Sequence, residues 1–86
     1  MAELTKYHDA KGNPIPYGAL LDFTWWEYVY TEIERHLVAR IRKRKSGDIF
    51  EFIKDSHGRD CYFTHRLTAL NWTEDDLELL DTPGPN

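Results

Sequence analysis

The sequence predicts a small α+β domain. A three-stranded antiparallel β-meander at about 37–45, 48–54 and 59–66 is covered by a helix at about 24–36 and flanked by a short helix at about 73–80. Three observations carry this expectation. Trp26, Val29, Tyr30, Ile33 and Leu37 recur at three- and four-residue steps, so they fall on one stripe of a helix. After Leu37 the period drops to two, as a half-exposed strand requires. A threonine stands three residues before an acid at Thr24/Glu27 and again at Thr73/Asp76, the arrangement that satisfies orphan N–H groups at a helix start.

Eighty-six residues suit one core, so residues 1–86 are read as a single domain. The chain is 41% hydrophobic, 14% aromatic and 30% charged, too apolar for a disordered chain and too polar for a membrane one. The lone Cys61 allows no internal disulfide and no four-thiolate metal site. The first residues carry no apolar run of the kind a signal peptide needs, so a cytoplasmic location is expected, with no membrane partner.

Residues 1–19 are expected to be largely extended or loop, because Gly12, Pro14, Pro16 and Gly18 break any helix; Ile15 and Tyr17 are the side chains offered to the core. The 24–36 helix follows, although Trp25-Trp26 and Tyr28-Val-Tyr30 also suit strands. From Leu37, Ala39 and Ile41 alternate with Arg40, Arg42 and Arg44. A two-residue turn at Ser46-Gly47 places Lys45 opposite Asp48, Arg42 opposite Glu51 and Ile41 opposite Phe52. A second turn at His57-Gly58 places Phe52 opposite Phe63. The competing reading is one unbroken helix from Trp25 to Lys45, ended by Gly47. Trp72 is expected beside the core, and residues 82–86 form a flexible tail.

The net charge of −4 is unevenly spread: nine cations face four carboxylates between Arg35 and Arg66, while the remaining residues hold two cations and eleven acids. An acidic total opposes coating of duplex DNA, but a local basic face survives that objection. In the predicted meander Arg40, Arg42, Arg44, Tyr62 and Arg66 share the face turned away from the helix, and they are the candidate partner-binding residues. Trp25, beside Trp26 on the helix, is the candidate homodimer contact; the bland alternative tucks it under the N-terminal loop.

His57, Cys61 and His65 are spaced like zinc ligands, but residues four apart on a strand are roughly 13 Å from each other, too far to share an ion. No metal, cofactor or catalytic set is therefore expected, and the protein is read as no enzyme.

Lys45-Ser-Gly-Asp-Ile-Phe-Glu-Phe-Ile53, Tyr62-Phe-Thr-His65 and Leu67-Thr-Ala-Leu70 resemble the two RNA-binding motifs of cold-shock domains. The likeness spans roughly a third of the chain. It implies an OB-like aromatic hairpin in which Phe50, Phe52, Phe63 and His65 stack on single-stranded nucleic acid. Glu51 stands where the family has a glycine, and the family's aromatic leading strand is missing. The functional expectation is a non-catalytic interaction module that binds a protein partner, or a second copy of itself. A single-stranded nucleic-acid binder is the alternative.

Overall fold

Where a helix is expected over 24–36, the chain instead forms a long β-hairpin. The computed structural model describes residues 3–28 and 30–80. Its strands are β1 (Leu4–His8), β2 (Pro14–Pro16), β3 (Leu21–Tyr28), β4 (Glu32–Arg42), β5 (Ile49–Lys54), β6 (Asp60–Arg66) and β7 (Leu77–Leu79). β1 and β2 make a two-stranded antiparallel ribbon. The others form one antiparallel sheet in the order β6-β5-β4-β3-β7. The predicted α+β class is therefore wrong: among the described residues helical structure is confined to 3-10 turns at Leu67–Ala69 and Glu74–Asp76.

The physical reason lies in two coincident periods. Thr24, Trp25, Trp26, Tyr28 and Ile33 all suit a pleated strand, and Trp25 pairs with Arg35 while Trp26 pairs with Glu34. Leu21, Phe23, Leu37 and Ala39 turn one way and are buried, while Trp26 turns the other way and is exposed. The supposed helical stripe thus joins residues from both faces of a hairpin. Thr24 caps nothing; it pairs with His36. The rival helix from Trp25 to Lys45 is ruled out by the same pairing.

The 73–80 helix is also a correction. The Thr73 N–H does donate to Asp76 Oδ2 at 3.0 Å, and the Asp76 N–H donates to the Thr73 carbonyl, but only one 3-10 turn follows them. Leu77 and Leu79, two apart and both buried, need a strand to reach the core together. The meander strands are three of the five in the sheet. Their first register is shifted by two from expectation: Arg42 pairs with Ile49, Ile41 with Phe50 and Arg40 with Glu51. The reversal lies one residue earlier than Ser46-Gly47, with the Gly47 N–H donating to the Arg44 carbonyl. A two-residue shift preserves parity, so each side chain keeps its predicted face. Phe52 does face Phe63.

The core lies between the large sheet and a lid of N-terminal and 67–72 residues. Ile15 of β2 is fully buried. Tyr7, Tyr17, Leu70 and Trp72 pack beside it over Phe50, Phe52, Ile41 and Leu21. Trp72 donates its indole N–H to the Leu67 carbonyl at 2.8 Å and meets Phe50 edge-on. Gly18 takes φ of 85°, which a side chain would strain, and its N–H bonds the Ile41 carbonyl at 2.9 Å, fastening this lid to β4. The segment 1–19 is thus largely a hairpin where it is described. The expected 82–86 tail lies outside the described residues. No helix among the described residues is long and apolar enough to cross a membrane.

Candidate functional site

β4 alternates inward Leu37, Ala39 and Ile41 with outward Val38, Arg40 and Arg42, so the arginines stand on the face opposite the core. On β5 the same face receives Ile49 and Glu51, and on β6 it receives Tyr62, Thr64 and Arg66. Glu51 is the centre of this arrangement. Its side chain is only 5% exposed, and its Oε1 accepts from Arg40 Nε at 2.7 Å and Arg42 Nε at 3.0 Å. Oε2 accepts from Arg44 Nη2 at 3.3 Å and from the Tyr62 hydroxyl at 3.0 Å.

Burial alone pushes the Glu51 carboxyl up. The donors from Arg40, Arg42 and Tyr62 outweigh it, and the carboxyl is held at about 2. A buried carboxylate needs such partners, and three guanidinium groups supply more charge than it neutralises. Arg40 and Arg42 spend their Nε on Glu51, which leaves their terminal nitrogens for an incoming anion. Arg66, opposite Ile49, is exposed and makes no ion pair among the described residues. The basic patch is short. Farther along β4 the same face carries His36 and Glu34, with Asp22 beside them on β3.

The five predicted partner-binding residues are therefore neighbours, four of them around one carboxylate, with Arg66 at the rim. Trp25 lies elsewhere. Its half-buried ring packs on the core side against Phe23, Phe52 and His65, with ring centroids 5.7–6.1 Å apart. Its neighbour Trp26 looks outward and donates its indole N–H to Asp76 Oδ1 at 3.1 Å. Trp25, Leu37 and Phe63 floor a groove of about 290 Å³ walled by the Glu27–Arg35 ion pair and by Asp55.

Of the residues matched to cold-shock stacking positions, Phe50 and Phe52 are fully buried and have no free ring face. Phe63 is 36% exposed but stacks on Phe52 at 4.8 Å, and His65 is half-buried. Cys61 turns its thiol toward the Phe52 carbonyl, and burial pushes that thiol up. No three His, Cys, Asp or Glu side chains among the described residues are placed to hold a metal ion.

Glu51 is the site residue that sequence reasoning treats only as a charge partner for Arg42. Its signal was present: a single acid in the middle of Ile49-Phe-Glu-Phe-Ile53, opposite arginines at alternate positions. The Glu27–Arg35 wall was hidden, because a helix would have turned both residues to solvent. Comparison of the chain with protein-family models, with curated protein sequences and with solved structures finds no match, so the arginine face stands on its own geometry.

Proposed function

We propose that this protein is a non-catalytic interaction module whose arginine face takes a short acidic segment of a partner protein. One observation carries the reading: Arg40 and Arg42 on β4, and Arg44 just beyond its end, are gathered side by side by a single buried carboxylate. Arg40 and Arg42, tied through Nε to Glu51, have less side-chain freedom to lose when a ligand arrives, which favours binding. The patch ends at His36 and Glu34, and the whole chain carries −4, so a short anionic stretch fits better than a long polyanion.

A fluorescent peptide rich in Asp and Glu tests this by anisotropy at low salt. Binding is expected to weaken with added salt and to fall at least about fivefold in Arg44→Ala and Arg40→Ala, each checked for fold by circular dichroism. No binding by the folded protein overturns the reading. Single-stranded nucleic acid is the second reading, favoured by Tyr62, which is 65% exposed beside the guanidinium groups. An oligonucleotide bound more tightly than the peptide, and weakened by Tyr62→Ala, would select it.

A further inference from the structure

The two edges of the large sheet are treated differently. β7 is three residues long and closed off: the Leu79 N–H donates to Asp9 Oδ2, and the Leu77 carbonyl accepts from the Ala10 N–H. β6 is seven residues long, pairs among the described residues only with β5, and carries neither proline nor lysine, its charges Asp60 and Arg66 standing at its two ends. Charged and proline residues are the usual devices that keep such an edge from pairing with another chain. Here the middle of the strand instead presents Tyr62 and Phe63, 65% and 36% exposed.

The sequence of β6 is complementary to itself. A twofold axis normal to the sheet keeps each copy's core face and arginine face on its own side, so paired residues must have the same parity. The register centred on Phe63 pairs all of the strand. It sets Asp60 opposite Arg66 of the second copy at both ends, Cys61 opposite His65, and Tyr62 opposite Thr64. Sliding the register by two residues either way loses both charge pairs. Asp60 is 89% exposed beyond its contact with Lys54, and Arg66 is exposed, so both are available.

We infer that the protein forms a twofold dimer through antiparallel β6–β6 pairing centred on Phe63, joining two sheets into one continuous sheet. The pairing satisfies the open backbone edge, brings the two exposed Phe63 rings together and places an ion pair at each end of the seam. It extends the arginine face from both copies along one side.

Light scattering after size exclusion is expected to give twice the 10.2 kDa of one chain. Asp60→Arg and Arg66→Asp are each expected to weaken association about tenfold or more, because each sets like charges opposite one another twice. Combining the two restores opposite charges and the dimer. Hydrogen exchange supplies a readout free of substitutions: β6 amides slow as protein concentration rises. A chain monomeric up to about 1 mM overturns the inference. So does a dimer indifferent to both single reversals, or a folded double variant that fails to recover.

Discussion

The backbone N–H of Leu79 donates to Oδ2 of Asp9 at 3.2 Å, so a carboxylate in the turn after β1 holds the last strand of the sheet. Asp9 is buried and also accepts from the N–H groups of Lys11 and Asn13 and from the Asn13 amide. Burial alone raises the Asp9 carboxyl, but the hydrogen bonds from Asn13, Leu79 and Lys11 together hold it below the usual value. Asp9→Ala strands these donors and is expected to cost about 1–3 kcal/mol in urea unfolding. Asp9→Asn keeps an acceptor and costs less.

Glu51 makes stability depend on acid. Its carboxyl moves from an ordinary 4.5 to about 2 on folding. The stabilisation is therefore complete above about pH 4.5 and is lost as pH falls through about 2. Urea midpoints measured across that window are expected to fall steeply in the parent chain. In Glu51→Gln the fall is shallower, on a lower plateau, because three guanidinium groups lose their counter-charge.

His36 acts in the opposite sense. Its hydrogen bond to Asp22 is the chief cause that raises it; partial desolvation opposes this, and the charge of Asp22 and the contact with Glu34 add to the rise. The folded state therefore favours the imidazolium. That stabilisation is whole below pH 6.5 and declines as pH rises through the higher folded value. His36→Gln is expected to flatten this decline in melting temperature measured from pH 6 to 9.

Ala39 lets two aromatic strands meet. Neighbouring strands lie about 4.8 Å apart, so β3 and β5 are separated by twice that, with β4 between them. Yet the Phe23 and Phe52 rings are 5.1 Å apart, because the intervening Ala39 leaves room above the sheet. Ala39→Leu fills that room and is expected to destabilise by about 1–3 kcal/mol, with altered near-ultraviolet circular dichroism.

The legible part of the sequence was the part with one clean period. From Leu37 to Arg66 the alternation of apolar and charged residues assigned Arg40, Glu51, Phe52, Tyr62 and Phe63 to their faces, and those assignments hold through the two-residue register shift. The shift itself was not legible. Tyr17 donates its hydroxyl to Asp48 at 2.9 Å, from a segment distant in sequence, so Asp48 has a partner other than Lys45. Between Thr24 and Leu37 both faces of the hairpin carry aromatic or aliphatic groups, which erases the alternation and leaves a helical spacing by coincidence. Asp9 gave no signal, since its role exists only once β7 is beside it.

The β3–β4 hairpin has β5 beside it only from Val38 onward and β7 only at Leu21–Phe23. Beyond those limits its strands pair only with each other; Trp25 still leans on Phe52 and Trp26 still reaches Asp76, but the last pair, Tyr28–Glu32, stands clear of both. Amides there report local fraying rather than global unfolding, because opening the tip uncovers little of the aromatic interior. Exchange is accordingly expected to be graded along β3, with the Tyr28 amide reporting the hairpin end and the Leu21 amide, between β4 and β7, reporting the whole sheet.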